Sequence, residues 1–130
     1  MARQHISSGT PWEAMAGYSR AVRVGAHVYV SGTTAADASG AVQHAGDAAA
    51  QTRYILKKIA AALAEAGASL EDVVRTRIFV RDLADWEAVA RGHGEVFDAI
   101  RPANTLVRAE PIVPAMLVEI EAEAVISSEF

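Results

Sequence analysis

Apolar residues along the chain alternate between a spacing of two and a spacing of three to four, the marks of strands and helices that each bury one face. Tyr18 to Val24 reads Tyr-Ser-Arg-Ala-Val-Arg-Val, a strand, and His27-Val28-Tyr29-Val30-Ser31 follows at hairpin distance behind Gly25-Ala26. Ser31-Gly32-Thr33-Thr34 breaks the alternation, and a glycine there permits a close backbone approach. From about Asp47 to Ala66 the positions Ala48, Thr52, Ile55, Ile59, Ala62, Leu63 and Ala66 trace one helical face. Asp47 suits the N-cap, Gly67 suits the position just past the end, and Lys57, Lys58 and Glu65 lie largely off the stripe. Val73 to Val80 alternates again, which predicts Val74, Thr76, Ile78 and Val80 on one face and Arg75 and Arg77 on the other. A second helix is predicted from about Asp85, as its N-cap, to Ile100, burying Trp86, Val89, His93, Val96, Phe97 and Ile100. Gly92 and Gly94 each cost that helix about 1 kcal/mol relative to alanine. Close packing, a nearby ligand and plain tolerance all fit them. Arg101-Pro102 stops the helix, Asn104 to Ala109 is a short strand, and Leu117 to Val125 is the last one. The order β-β-α-β-α-β-β implies an α+β fold: an antiparallel or mixed sheet with two helices on one face.

Composition narrows the classes. At 130 residues the chain is expected to form one domain, residues 1–130, and 52% hydrophobic against 22% charged residues is too apolar for disorder. The absence of cysteine excludes disulfides, thiolate nucleophiles and cysteine-held metal sites. The first residues lack the basic and apolar regions of a signal peptide, and no apolar run approaches the ~20 residues that span a bilayer, so a cytoplasmic protein without membrane contact is expected. A net charge of −4 gives no general attraction to nucleic acid. Arg75, Arg77 and Arg81 are the one local basic cluster, more simply read as a solvated strand face.

Two candidates for chemistry stand out. The last strand, Val118-Glu119-Ile120-Glu121-Ala122-Glu123-Ala124, sets three carboxylates on one face. A solvated antiparallel face explains them. Burial of one would raise its pKa and make it an acid/base. His93, between the two glycines, titrates near neutral pH and is either a core histidine or a proton carrier.

The run Val30-Ser31-Gly32, the helix end Ala66-Gly67, the stretch Glu71 to Leu83, the stop Arg101-Pro102-Ala103 and Val118-Glu119-Ile120-Glu121-Ala122 together resemble the RidA/YjgF family in order and spacing. The resemblance covers residues 16–126. It implies a chorismate-mutase-like fold, a mixed sheet packed by two helices, assembled as a homotrimer around a central barrel with clefts between subunits. It implies hydrolysis of reactive imines and enamines, which pyridoxal-phosphate enzymes release, to 2-oxo acids and ammonia, with no metal or cofactor. Carried over by position, Glu119 would handle the attacking water, and Tyr18, Ser31, Gly32, Thr33, Thr105 and Leu106 would line the substrate site. His93 stands near the place where the family's deaminases have a tyrosine, and is the second catalytic candidate.

One departure bears on substrate. The family's deaminases carry Pro-Ala-Arg-Ser after the second helix, whereas this chain reads Pro102-Ala103-Asn104-Thr105. Asn104 offers a neutral amide where an arginine would clamp a carboxylate with a charged, bidentate fork. Three functions therefore stay open: an imine or enamine hydrolase of atypical preference, a non-catalytic binder of a small ligand or pathway accessory, and, remotely, a ribonuclease. Arg20, Arg108 and His93 are candidates to compensate from another angle, though nothing in the sequence places them there.

Overall fold

The computed structural model describes residues 2–127. Six strands form one mixed sheet: β1 (Arg3–Ile6), β2 (Ala21–Val24), β3 (His27–Thr33), β4 (Val73–Val80), β5 (Ala103–Arg108) and β6 (Val118–Val125). They lie in the order β1-β2-β3-β6-β4-β5, antiparallel throughout except for the parallel pair β4–β5. That parallel pair needs a crossover, and the second long helix supplies it. The helices are α1 (Pro11–Ala16), α2 (Ala48–Glu65) and α3 (Trp86–Phe97). No helix among the described residues is long and apolar enough to cross a membrane.

α2 and α3 cover one face of the sheet. Ile55, Leu56, Ile59 and Leu63 of α2 and Val89 and Phe97 of α3 pack against Val28, Val30, Ile78, Val80, Val118 and Ile120. The α2 face forms as its pattern predicts, and the Asp47 carboxylate caps it by accepting from the Ala50 amide. Gly92 is buried where the two helices meet: a Cβ there would stand 3.1 Å from Thr52 Cγ2, whereas one on Gly94 would meet nothing. Close packing thus accounts for the first glycine and open space for the second.

Several expectations are corrected. Residues 2–17 hold a strand and a short helix that the polar start of the chain did not predict. β2 begins at Ala21, not Tyr18, because Tyr18 to Arg20 form the turn out of α1. α3 is not capped by Asp85, whose backbone is already helical; Asp82 instead caps the 3-10 turn Leu83–Asp85 that leads into it. Trp86 is half exposed rather than buried. A register shift between Val73 and Arg75 sends Val73 into the core and Val74 to solvent, so only Thr76, Ile78 and Val80 share the covered face. The opposite face carries Tyr29, Arg75, Arg77, Phe79, Glu121 and Val107, with no element over it among the described residues.

Candidate active site

The acidic strand β6 divides its three carboxylates between two jobs. On the uncovered face Arg77 Nη1 donates to Glu121 at 3.2 Å and to Glu123 at 2.9 Å, which disperses the repulsion expected of that pair. Glu119, opposite Phe79 on β4, lies outside this pairing. On its other side β3 carries an irregularity between Val30 and Thr33, one residue longer than the facing stretch of β6. Such a bulge re-aims side chains and leaves room beside them. Gly32 occupies it, and a Cβ there would overlap the Glu119 carboxylate, with Cδ only 3.1 Å away. Burial pushes the Glu119 carboxyl above the ordinary range, the nearby Arg20 charge opposes this, and Glu121 reinforces it.

A cleft of about 310 Å³ opens over this pair. Tyr18, Arg20 and Lys58 join Glu119 and Gly32 in its polar wall, and Trp12, Met15, Ile112 and Met116 make an apolar wall opposite. Arg20 is 5% exposed. Its Nη1 donates to the Gly32 carbonyl at 2.6 Å and to Thr33 Oγ1 at 3.1 Å, and its Nε faces Glu13 Oε2 at 3.8 Å. The guanidinium also lies 5.6 Å from the Tyr18 ring centre, a cation–π distance. Glu13 is held by Ser7, Ser8 and Thr10 hydroxyls. Burial works against its charge, but those bonds prevail and keep its carboxyl below the ordinary range. Arg20 thus braces the bulge and brings a buried charge beneath the cleft.

Lys58 enters from α2. Its Nζ donates to the carbonyls of Thr34 at 2.9 Å and Ala36 at 2.7 Å. Burial and the Arg20 charge push its amine down to about 8, against the pull of Glu13 and Asp37. The apolar wall is fixed from behind. The buried Gln51 donates to Ala115 O at 2.9 Å and accepts from the Leu117 amide at 2.9 Å. Arg81 donates to Met116 O and Val113 O, each at 3.0 Å, and to Pro111 O.

Of the residues expected at the site, Tyr18, Gly32 and Glu119 meet in this cleft. Ser31 and Thr33 support it: the Ser31 hydroxyl donates to Ser19 O, and the buried Thr33 hydroxyl donates to Ser31 O while accepting from Arg20. His93, Asn104, Thr105 and Leu106 do not join them within one chain. Asn104 Nδ2 donates to Thr76 Oγ1 at 2.9 Å, and that oxygen lies 2.9 Å from His93 Nε2. Burial holds the His93 imidazole below its usual range, which favours the neutral ring, and the direction of its bond to Thr76 follows the tautomer. Thr105 accepts from Arg75 on the uncovered face, and Leu106 packs against the core. Arg81 is committed to the loop and Arg77 to carboxylates, so the basic cluster noted in the sequence is dispersed.

Lys58 and the apolar wall were missed. Lys58 had a signal, since it sits one residue before Ile59 and three after Ile55, at the border of the buried stripe. Trp12 and Met15 lie three apart on α1, whose six residues are too few to show a period, and Ile112 lies in a loop.

Comparison with known proteins then settles the kinship. The family described as Endoribonuclease L-PSP matches residues 9–126. The chain belongs to the Rid (YjgF/L-PSP) family. Its Rid relatives include the 3-aminoacrylate deaminase RutC of Acinetobacter baylyi, 41% identical over 92% of this chain and 94% of RutC. Rv2704 of Mycobacterium tuberculosis, a member of the YjgF/YER057c/UK114 family, is 46% identical over 96% of this chain and 100% of its own, with a TM-score of 0.87. The YjgF gene product of E. coli is 31% identical over 94% of this chain and 98% of its own, with a TM-score of 0.80. The chorismate-mutase-like Rid fold expected from the sequence is therefore the fold of this chain.

Proposed function

We propose that the protein hydrolyses a reactive imine or enamine in the cleft that Glu119 shares with Gly32 and Tyr18. The observation that carries the reading is the Glu119 carboxylate, seated on a glycine bulge, half-buried, and left out of the Arg77 pairing that absorbs Glu121 and Glu123. Its similarity to RutC supports the reaction class. An imine carbon is already electrophilic, so catalysis needs a placed water and a proton carrier rather than a strong nucleophile. Glu119 takes a proton from water as the water oxygen bonds to the C=N carbon and returns it to the nitrogen, which gives a carbinolamine. Glu119 then takes the carbinol hydroxyl proton and passes it to the nitrogen as the C–N bond breaks, so that ammonia and a carbonyl product leave with the carboxylate restored. Burial raises the carboxyl above its ordinary range, which suits a group that both accepts and returns a proton.

The active form in this proposal is a homotrimer. The uncovered sheet face supplies the contact, and the His93–Thr76–Asn104 edge of a neighbour closes the cleft. A second reading has one observation in its favour: Asn104 is neutral and spends its donor on Thr76, which fits a ligand-binding member without turnover. Ribonuclease action gains nothing, because the charges lining the cleft are of both signs.

The test is to add the protein to an enzyme that releases imines and to time 2-oxo acid formation. Acceleration by the unaltered protein and a loss of about 100-fold or more in Glu119→Gln are expected. No acceleration, with ligand affinity kept in Glu119→Gln, would favour the binding role.

A further inference from the structure

We infer that the cleft is built for a 2-imino acid with a branched or aromatic side chain, its carboxylate held by Lys58 and its side chain packed among Trp12, Met15, Ile112 and Met116. This rests on the hydrolase reading for the reacting group and adds the two ends of the molecule.

The anionic end follows from which cation lacks a counter-ion. Arg20 gives its Nη1 to Gly32 and Thr33, and its charge is already paired with Glu13, 3.8 Å from its Nε. Lys58 uses two of its three protons on the carbonyls of Thr34 and Ala36 and makes no ion pair among the described residues. Its side chain borders both the cleft and a smaller hollow behind it, lined by Ser7, Ser8 and Glu65. A half-buried ammonium without a counter-ion is costly, and a ligand carboxylate in the cleft supplies one. Asn104 cannot, since it carries no charge and lies on the far side of β4.

The apolar end follows from the opposite wall. Met15 on α1 and Ile112 on the facing loop are 78% and 77% exposed, while Met116 at the base of the cleft is 2% exposed, and Gln51 and Arg81 hold the loop that carries Ile112 and Met116 by four bonds of 2.9 to 3.0 Å. Exposed apolar side chains over a tied-down cleft are a surface suited to an apolar ligand group. A substrate bearing only hydrogen or a methyl group would leave it wet.

Two measurements test this. Calorimetric titration of the unaltered protein would use pyruvate, 4-methyl-2-oxopentanoate and the methyl ester of the latter. The branched acid is expected to bind at least about tenfold more tightly than pyruvate, and at least about tenfold more tightly than its own ester. Lys58→Met, checked by its melting curve, should erase the difference between acid and ester. Pyruvate binding as tightly as the branched acid, or the ester as tightly as the acid, overturns the inference without reliance on any variant. In parallel, imines released by an amino-acid oxidase from alanine, leucine and phenylalanine are compared. Faster hydrolysis of the larger two supports the inference, and a preference for the alanine product overturns it while leaving the hydrolase reading intact. If the titrations follow expectation but no imine is accelerated, the hydrolase reading falls and the ligand class stands.

Discussion

Gly32 and Glu119 have to be understood together, because the space that a methyl group would fill at one is the space the carboxylate of the other occupies. The clash is with the far end of a flexible side chain, so the fold can yield while the carboxylate moves. Gly32→Ala should therefore keep its melting temperature within a few degrees yet lose about 100-fold in kcat, since a shift of about 1 Å in a catalytic group costs that much. Equal loss of stability and activity would mean that the glycine is only structural. Lys58 makes a different prediction, in pH. Its amine is pushed down to about 8 in the folded chain from 10.5, so between those values the unfolded state binds more protons. Stability then rises with pH across that window, because the penalty of the charged amine, fully present below about 8, is relieved as the folded group gives up its proton. Arg20 is the charge that opposes it, and Glu13 and Asp37 favour it. Urea midpoints of the unaltered protein should climb relative to those of Lys58→Met from pH 7.5 to 10.5, and parallel curves would sink the assignment.

At the scale of elements, the cleft depends on a loop that α2 and β4 tie down. Gln51 is fully buried and satisfies Ala115 O and the Leu117 amide at once. Gln51→Leu keeps an apolar filling but strands both groups, at about 1–3 kcal/mol for each group left without a partner. It should lower the urea midpoint by the equivalent of about 2–4 kcal/mol and speed amide exchange at Leu117, while unchanged exchange there would show that the loop holds without it. This tie also marks where sequence reading ran out. The long helix, the alternation in β4 and β6 and the stop at Pro102 were legible because burial of one face imposes a period. Glu119 and Gly32 were legible as family positions, but their contact was not, since it arises from a bulge that shifts β3 against β6. The turn of β4 at Val74 was hidden for the same reason: an extra residue there puts Val73 in the core and Val74 in solvent, while Thr76, Ile78 and Val80 keep the predicted face. Gln51 reads as an ordinary polar helix residue until the loop 64 residues away closes on it.

At the scale of the molecule, the uncovered sheet face is the feature that the single chain does not explain. Tyr29 is 49% exposed, Val74 48% and Val107 45%, spread across three strands of one face beside the Arg77 pairs. The His93–Thr76–Asn104 edge, meanwhile, lies on the far side of β4 from Glu119 and cannot reach it within the chain. Both facts are met if copies join by this face and each lends its edge to its neighbour's cleft, as a closed symmetric assembly does. Sedimentation equilibrium should then report about 41 kDa for three copies of a 13.7 kDa chain. Val107→Asp places a charge in the contact but keeps the backbone pairing of Val107 with Phe79, so the variant should be a folded monomer by far-UV circular dichroism. Turnover should fall with assembly. Mixing it with an excess of Glu119→Gln should restore none, because the variant cannot enter a trimer. A Val107→Asp monomer that keeps full activity would show that the cleft of one chain suffices, and the neighbour's edge would then have no part in the reaction.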